Sequence, residues 1–451
     1  MIIGKILLGL FGLGIVVFVH ELGHFLAARA VGIDVEAFSI GWGSPIVKKK
    51  IGKVEYRIGI FPLGGYCKFR GENEFKEAYE NKQNSVEPVP GTYMGVSPWR
   101  RIIACFAGPL FNLIFAVIVF SFIWGIGFNV NTLENRVVLI SSVNPGERHP
   151  SDEADLQTGD RIIEINGRPI SYYHEIRENI AVNADTKLSI KVERDGNVIP
   201  LNITPAMDKR TGEGRIGVFF WSDPVIAQVN AGSPADIAGL QAGDRIIRAN
   251  GEDIPFTVAF LPVLQGEPPI ISVEFERNGQ IGSADLVMSY IDGNADMGIV
   301  YRTIHYRTPT LSPVGAFVRG TQEAWRTLFI SVRSLSLLFR GIDLTTAVSG
   351  PVRITYMVGD VATEGFGQSF GAGMRSMANF LALISIALCV MNLLPIPVVD
   401  GGMIILWFIE GVIRKPIHPK AISIFQTVGI VLVGSLMLFA LFGDILFFVR
   451  R

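Results

Sequence analysis

Four long apolar stretches constrain the fold of this 451-residue chain more than any other feature of its sequence. Each is long enough to cross the hydrocarbon core of a bilayer, which an α-helix spans with about 20 apolar residues. Because lipid offers the backbone no hydrogen-bond partner, such a stretch is expected to cross the membrane as a helix. We predict an α-helical membrane protein whose four transmembrane helices lie at residues 1–30, 102–128, 377–400 and 422–449.

The composition indicates that these spans are joined to a substantial soluble portion. Hydrophobic residues make up 49% of the chain and charged residues 18%, a mixture that suits membrane helices combined with soluble domains. The formal net charge of −1 gives no reason to expect a nucleic acid as partner. Cys67, Cys105 and Cys389 have no metal-binding spacing, so neither a cysteine-based metal site nor a disulfide framework is expected.

Basic residues near the spans predict the orientation in the membrane. Residues 31–101 are rich in lysine and arginine, and the short segment 401–421 adds further basic residues, so both are assigned to the cytoplasm. The terminal Arg450 and Arg451 argue for the opposite orientation but are fewer. The long middle of the chain then lies on the other side of the membrane.

A β-element is predicted within the first cytoplasmic segment, 31–101. Between Ile51 and Arg70 apolar and polar residues alternate, and Pro62 with Gly64-Gly65 supplies a turn. This pattern is compatible with a plain cytoplasmic hairpin. It is equally compatible with a β-element that associates with the cytoplasmic side of the membrane.

The first apolar stretch contains the motif His20-Glu21-Leu22-Gly23-His24. Two histidines four residues apart lie about 40° apart around a helix, so both imidazoles can reach one metal ion. Glu21 falls on an adjoining face, where it can act on a water molecule as a general base. Ionisable groups inside a membrane helix are costly unless they have a function, which disfavours a chance match. The motif therefore predicts a zinc hydrolase.

A hydrolytic zinc site takes three protein ligands, so the chain must supply one more. Asp400 is the only carboxylate between Glu364 and Glu410, and it lies at the same side of the membrane as the histidines. Pro395 and Pro397 prevent regular helix before it, and Gly401-Gly402 permits a sharp turn after it. We predict that His20, His24 and Asp400 bind the metal.

The middle of the chain contains an internal repeat. Ala154 to Ile170 and Ala238 to Ile254 are identical at eleven of seventeen positions, 84 residues apart. Asp-Gly and Asn-Gly pairs between strand-like runs in both copies predict hairpin turns. A repeat of this length is a domain. Two tandem, mostly β domains are therefore predicted at residues 129–221 and 222–308.

An amphipathic helix is predicted within the connector at residues 309–376. Apolar residues between Ser312 and Arg340 follow helical spacing, and arginines recur every seven residues. We favour a helix that lies on the membrane surface. The alternative is a helix packed against the two repeated domains.

The motifs of both repeats resemble the PDZ domain. Each has Leu-x-x-Gly-Asp-x-Ile followed by Asn-Gly, in the permuted arrangement of bacterial proteases. This resemblance implies domains that hold extended peptides at a sheet edge. Whether they do so here, or act as spacers that exclude bulky folded proteins from a membrane site, is left open by the sequence.

The chain as a whole resembles the site-2 proteases, zinc metalloproteases that cut transmembrane segments. The resemblance rests on the histidine motif, on Ala107-Gly108-Pro109-x-x-Asn112, on the two PDZ-like domains and on Asn392-x-x-Pro395-x-Pro397-x-x-Asp400-Gly401. Met403 departs from the histidine expected after Asp-Gly-Gly, but it lies outside the proposed ligands. The arrangement is most similar to family members of Gram-negative bacteria with tandem PDZ-like domains.

This resemblance implies a multi-pass protein of the bacterial inner membrane, with the PDZ-like domains in the periplasm and the active site near the cytoplasmic side. It implies cleavage, during a stress response, of a membrane-spanning anti-sigma factor after a first periplasmic cut, and of remnant signal peptides. It also implies that Asn392, Pro395 and Pro397 position the substrate. Asn112 is assigned to the same group, although an intramembrane asparagine can also simply link helices.

The site-2 protease family also gives the β-element a function, because its free edge could hold an unwound substrate segment as an added strand. Two other classes of protein are compatible with parts of this sequence. An inactive membrane scaffold that binds peptides through the PDZ-like domains should have lost Glu21 or a ligand. A metal transporter should carry ligands along several spans.

Overall fold

The computed structural model describes residues 2–449 apart from 147, 210, 292–293 and 338–349. The chain divides into two compact units. The helical unit comprises Met1–Phe128 and Pro309–Arg451, and the β-rich unit comprises Asn129–Thr308.

The helical unit begins with two long helices separated by a β-hairpin. Its N-terminal elements are α1 (Ile2–Ala30), β1 (Val35–Ile51), β2 (Val54–Phe69), α2 (Glu74–Glu80) and α3 (Pro98–Ile126). The limits of α3 follow from local chemistry. Pro98 occupies the first turn, where its missing N–H costs nothing, and Gly127 ends the helix with a φ of 71°.

The β-rich unit contains two copies of one small fold. The first copy contains β4 (Val137–Leu139), α4 (Ile140–Val143), α5 (Pro150–Glu153), β5 (Arg161–Ile165), β6 (Arg168–Pro169), α6 (Tyr173–Ala181), β7 (Leu188–Arg194), β8 (Asn197–Ile203), β9 (Ala206–Met207), β10 (Gly214–Arg215) and β11 (Val218–Phe220), after the strand β3 (Asn129–Thr132). The second contains β12 (Ile226–Val229), α7 (Pro234–Ile237), β13 (Arg245–Ala249), β14 (Glu252–Asp253), a 3-10 turn (Thr257–Ala259), α8 (Phe260–Val263), β15 (Ile270–Arg277), β16 (Gln280–Val287), β17 (Ser289–Ile291), β18 (Asn294–Asp296), β19 (Ile299–Tyr301) and β20 (Ile304–Arg307).

The two copies share a four-stranded antiparallel sheet, in the order β6-β5-β7-β8 in the first and β14-β13-β15-β16 in the second. The hairpin turns predicted from the Asp-Gly and Asn-Gly pairs are present: Asp195 and Asn278 have φ values of 50° and 53° between paired strands. A salt bridge also recurs, since Arg194 pairs with Asp160 as Arg277 pairs with Asp244, both at 2.7 Å. One difference from the predicted boundaries is that β3, assigned to the first domain, pairs with β20 of the second.

After the β-rich unit, the described part of the helical unit contains five helices. They are α9 (Pro313–Leu337), α10 (Pro351–Gln368), α11 (Phe370–Asn392), α12 (Asp400–Ile413) and α13 (Pro419–Val449). Within the described residues, four helices are long and apolar enough to cross a membrane: Gly4–Ala30, Pro98–Ile126, Phe370–Asn392 and Pro419–Ile445. The number of these helices agrees with the prediction of four spans.

The third span ends earlier than predicted. α11 stops at Asn392, and Asp400 opens a separate helix where the sequence predicted a loop at 401–421. Gly401 and Gly402 do not form a turn after Asp400 but lie in the first turn of α12, where they pack against the preceding chain. A Cβ at Gly401 would lie 2.3 Å from the carbonyl oxygen of Leu394, so small residues let the helix fold back tightly.

The hairpin of β1 and β2 is longer than predicted, and its turn lies elsewhere. Ile51 pairs with Val54, so Gly52 and Lys53 form the turn, while Gly64 and Gly65 lie inside β2. Their missing side chains make room for neighbours: a Cβ at Gly64 would lie 2.6 Å from the indole of Trp42. The alternation pattern indicated strands correctly, but glycine inside a strand was misread as a turn signal.

The amphipathic helix α9 runs antiparallel along α3, so the prediction of a membrane-surface helix was wrong. Gly320 packs on Ser121, and Ala316 lies beside Gly125 one turn further along α3. Ala324 is fully buried in the same contact. Small residues four apart form a groove that lets two helices approach closely, which outweighs the amphipathic pattern. Residues 338–340 of the predicted helix lie outside the described residues.

Polar contacts hold helix α10 to two of the spans, α13 and α1. Asp444 of α13 accepts hydrogen bonds from the backbone N–H groups of Gly350, Val352 and Arg353, which open α10. Further along, Asp360 of α10 forms an ion pair with Lys5 of α1. These charged groups are satisfied within the protein, as intramembrane polar groups must be.

Candidate metal centre

Helix α1 presents both histidines of its motif to one point. The rings of His20 and His24 meet edge to face with their centroids 4.7 Å apart, and their Nε2 atoms are 3.1 Å apart. Both side chains are buried, at 8% and 7% exposure. The four-residue spacing in a continuous helix produces this convergence.

Asp400, at the start of α12, completes a three-residue cluster. Its Oδ2 lies 3.3 Å from Nε2 of His20 and its Oδ1 lies 3.4 Å from Nε2 of His24. One donor atom from each residue falls within 4.8 Å of the others, and this is the only such cluster found among the described residues. Two imidazole nitrogens and a carboxylate are a donor set that suits zinc.

Helix α3 packs against α1 through glycine at the site itself. A Cβ at Gly108 would lie 2.2 Å from Nε2 of His24 and 2.8 Å from Cε1 of His20. On the facing side, a Cβ at Gly23 would lie 2.4 Å from the carbonyl oxygen of Ala107. The two helices therefore approach closely enough for α3 to form the wall behind both imidazoles.

The position of the proton on the neutral His24 ring follows from the hydrogen-bond partner of Nδ1. Nδ1 of His24 lies 2.8 Å from the carbonyl oxygen of Ala104, which can only accept a hydrogen bond. Nδ1 therefore carries the proton, and the lone pair of Nε2 is available to a metal. The donor atom that His24 offers therefore fits zinc.

Glu21 lies at the same cavity, beside strand β2. A Cβ at Gly65 would lie 3.0 Å from Cγ of Glu21. The cavity has a volume of about 580 Å³. Its walls come from α1, β1, β2, α2, α3, α11, α12, α13 and the segments between them, and include Val17, Gly64, Tyr66, Leu388, Val399, Met403 and Gln426. Glu21 and the three clustered residues thus share one space that is large enough for a peptide segment.

Sequence reasoning missed the aromatic wall of this cavity. Tyr93 accepts a hydrogen bond from Nε1 of Trp407 at 2.7 Å and contacts the sulfur of Cys105 at 3.2 Å. Trp42 reaches the cavity from β1 and donates to the carbonyl oxygen of Gly65 at 3.0 Å. No motif marks these residues, because they come together only when four separate elements pack.

Two further ionisable groups line the cavity outside the spans. Burial raises the pKa of the Glu72 carboxyl, and the backbone N–H of Phe69, 3.3 Å away, offsets this only in part. Burial likewise raises the pKa of the Cys67 thiol, with the Glu21 carboxylate adding to the shift. Cys67 therefore stays protonated at neutral pH.

The four residues assigned to substrate positioning are placed differently from one another. Asn392 lines the cavity, with its Nδ2 3.4 Å from Nε2 of His20. Asn112 is fully buried and bonds to His20, so it is not at the cavity wall as a substrate contact should be. Within the part of the chain that the structure describes, Pro395 and Pro397 do not line the cavity. Pro397 packs instead on Gly429 of α13.

Comparisons with known proteins agree with this geometry. A family model described as Peptidase family M50 matches residues 8–436. A protein of Treponema pallidum named as a zinc metalloprotease is 35% identical over 446 residues, which cover 98% of this chain and 99% of that protein. A regulator of sigma E protease of Haemophilus influenzae is 30% identical over 96% of this chain and 97% of its own length. RseP of Salmonella typhimurium is 29% identical over 96% of both chains.

Together, the four apolar helices, the histidine–aspartate cluster and these relatives define a membrane metalloprotease. The chain belongs to peptidase family M50, the site-2 proteases. The family is zinc-dependent, and zinc is accordingly the cofactor of this protein.

Proposed function

We propose that this protein is an intramembrane zinc metalloendopeptidase that cuts the transmembrane segments of single-span proteins. The observation that carries the proposal is the convergence of His20, His24 and Asp400 with Glu21 on one cavity of the helical unit. The two histidines and Glu21 lie within the first span, and the cavity is walled by further spans. Peptide-bond hydrolysis would therefore take place within the membrane.

In this proposal His20, His24 and Asp400 hold the metal. Zinc, when bound, supplies Lewis acidity that makes water nucleophilic at neutral pH and polarises the scissile carbonyl. Glu21 accepts the proton of the attacking water and delivers it to the leaving nitrogen. Asn392, at the cavity wall beside His20, donates a hydrogen bond to the oxygen on which negative charge develops.

Strand β2 is proposed to hold the substrate in an extended form. A helical peptide bond is sheltered by its own hydrogen bonds, so a membrane segment has to unwind before it can be cut. Within the described residues β2 pairs only with β1, and Gly64, Gly65 and Tyr66 of β2 line the cavity. Its second edge can therefore pair with the unwound segment. Pro395 and Pro397 would act on the substrate indirectly, by shaping the chain that carries Asp400.

The two copies of the β-rich unit are proposed to be PDZ-like domains. Their support is the shared four-stranded sheet and the repeated Arg–Asp pair at the Leu-x-x-Gly-Asp motif. Two roles remain open for them: binding an extended peptide or chain end, and excluding substrates that carry bulky external domains.

By the distribution of basic residues, we place residues 31–101 and 401–421 in the cytoplasm of a bacterial cell and the PDZ-like domains in the periplasm. The protein would then be a multi-pass protein of the inner membrane, in contact with its lipid bilayer. Two relatives are named as regulators of sigma E protease. These names support a regulator of a sigma factor as one substrate, and we propose a membrane-spanning anti-sigma factor that has already been cut once in the periplasm. Remnant signal peptides are proposed as a second substrate from the resemblance to the site-2 proteases alone.

The test is cleavage of a single-span substrate by the purified, zinc-loaded protein in liposomes. Glu21→Gln should abolish cleavage and retain zinc, because the carboxamide cannot take up the proton. Glu36→Gln, at a half-exposed residue of β1, is the matched control and should cleave like wild type. Equal cleavage by wild type and Glu21→Gln would reject the mechanism.

The ligand set is tested separately by metal content. Asp400→Ala should reduce bound zinc, and an unchanged zinc content would show that another residue is the third ligand.

The role of the PDZ-like domains is tested by deleting residues 129–308. A size filter predicts that the shortened protein cuts substrates with large external domains, whereas unchanged discrimination would reject that role.

A catalytically inactive peptide-binding scaffold is the alternative. It gains no support from the site, because Glu21 and all three proposed ligands are present and close together.

A further inference from the structure

Asn112 is a buried polar residue of the second span that lies beside the proposed ligands and that the proposed mechanism does not use. It lies on α3, one turn after Gly108, and has no exposed surface. Its amide group is 3.1 Å from Nδ1 of His20, the ring nitrogen turned away from Asp400. Its Oδ1 is buried and, within the part of the chain that the structure describes, has no hydrogen-bond partner. A buried orphan acceptor is costly, so this arrangement requires an explanation.

Both histidines require a hydrogen-bond acceptor beside Nδ1. A histidine that binds a metal through Nε2 carries its proton on Nδ1 and donates it to a nearby acceptor. For His24 that acceptor is the carbonyl oxygen of Ala104. For His20, the group facing Nδ1 is the amide of Asn112. The nitrogen and oxygen of such an amide have nearly the same shape, so its orientation is decided by hydrogen bonding.

We propose that Asn112 is a positioning residue for the metal: its Oδ1 accepts the hydrogen bond from Nδ1–H of His20 and holds His20 in the tautomer whose Nε2 binds zinc. A half-turn of the amide brings Oδ1 to the place facing Nδ1 and puts the amide nitrogen where the oxygen lay. The exchange is favoured because a His20 that binds metal through Nε2 carries a proton on Nδ1, and only the oxygen can accept it. This inference rests on the proposed ligand set. It replaces the assignment of Asn112 to substrate binding.

The surroundings of Asn112 keep its side chain in place. Ser385, fully buried on α11, donates a hydrogen bond to the backbone carbonyl oxygen of Asn112 at 2.9 Å. The third span thereby fixes the backbone that carries the amide. A neutral amide also suits this depth in the membrane better than the carboxylate that often orients a zinc-bound histidine, since it adds no charge.

The experiment compares two nearly isosteric replacements in the full-length protein, purified in detergent. Asn112→Leu removes the acceptor, and Asn112→Asp keeps one. Zinc affinity is measured by competition with a chelator, and the absorption spectrum of the cobalt-substituted protein reports the ligand geometry. We expect Asn112→Leu to weaken zinc binding about 10–100-fold and to alter the cobalt spectrum, while Asn112→Asp stays within a few-fold of wild type.

Ser121→Ala, which removes a hydroxyl bonded within α3 to Val117, is the matched control and should leave both readouts unchanged. Wild-type zinc affinity in Asn112→Leu would overturn the proposal, and an equal loss in the Leu and Asp variants would show a packing role instead. A raised KM with unchanged zinc affinity would restore the substrate assignment and likewise overturn it. If Asn112→Leu does not fold, the smaller Asn112→Ala makes the same comparison.

His20→Ala separates this inference from the ligand set on which it rests. Full zinc binding in His20→Ala would mean that the proposed ligand set is wrong. Loss of zinc in His20→Ala together with normal zinc affinity in Asn112→Leu would leave the ligand set intact and reject only the role of Asn112.

Discussion

Gly108 on α3 and His24 on α1 lie so close that a Cβ at Gly108 would be 2.2 Å from the metal-facing Nε2 of His24. Carbon and nitrogen atoms do not approach to this distance without bonding, and the same Cβ would also reach Cε1 of His20. The second span can therefore support the histidine pair only if residue 108 has no side chain.

Gly108→Ala should displace both imidazoles and reduce zinc affinity by at least an order of magnitude, with cleavage lost in parallel. The measurement is zinc content after dialysis, together with the unfolding temperature in detergent. Gly125→Ala on the same helix is the control, because its Cβ would meet Ala316 at an ordinary 3.5 Å. Full zinc occupancy in Gly108→Ala would show that α1 and α3 can separate without disturbing the ligands.

The packing of α9 along α3 predicts a specific cross-link. A Cβ at Gly125 lies 3.5 Å from Cβ of Ala316, at the short end of the range that a disulfide bond requires. Gly125→Cys with Ala316→Cys, in a chain whose native cysteines are replaced, should form a disulfide on mild oxidation. Gel mobility with and without reductant measures it.

Gly125→Cys with Val318→Cys is the matched control, since Val318 is half exposed two residues further along α9 and points to another face. No cross-link, or equal cross-linking in both pairs, would favour a helix that is not held on the second span.

The buried ion pair of Arg101 and Glu410 joins the start of α3 to the end of α12. Their side chains are 3.0 Å apart at 6% and 8% exposure, and Arg101 also stacks on Trp407, which lines the cavity. Glu410→Gln leaves the guanidinium buried without its counter-charge and should cost about 3–5 kcal/mol of unfolding free energy.

Replacing both partners by methionine should cost less than Glu410→Gln alone, because no unpaired charge remains. Asp253→Asn breaks the exposed pair with Arg248 and should change the unfolding free energy by less than about 1 kcal/mol. Denaturation in detergent measures all three variants. A loss in Glu410→Gln no larger than in Asp253→Asn would mean that water reaches the buried pair.

Asp444 of α13 holds the N-terminus of α10 through three backbone N–H groups. Asp444→Ala leaves these donors without the carboxylate and should lower the free energy of unfolding by about 2 kcal/mol. Asp444→Asn keeps one acceptor oxygen and should fall between Ala and wild type. Identical stability of wild type and both variants would show that other groups accept the hydrogen bonds of the N–H groups at the start of α10.

The local chemistry of the site was readable from the sequence. The spacing of His20 and His24 fixes their convergence once the segment is helical, and the apolar length of that segment makes it a helix in the membrane. The Asp195-Gly196 and Asn278-Gly279 turns followed from residues that tolerate a positive φ. Each of these inferences depends on residues within a few positions of one another, where bonded geometry leaves few choices.

The tertiary structure decided what lies between distant parts of the chain. It brought Asp400 within 3.4 Å of both histidines, placed Gly108 behind them and turned Asn112 toward His20. It also moved α9 onto α3 and folded Gly401 and Gly402 into the first turn of α12. Such contacts depend on how closely whole helices pack. Close packing in turn requires small residues at the contact, and single small residues form no motif that can be recognised in the sequence. The sequence alone thus determined the apolar membrane-spanning helices, the Asp-Gly and Asn-Gly turns and the metal-binding chemistry of a histidine pair, while packing at glycine and alanine decided which side chains share the site.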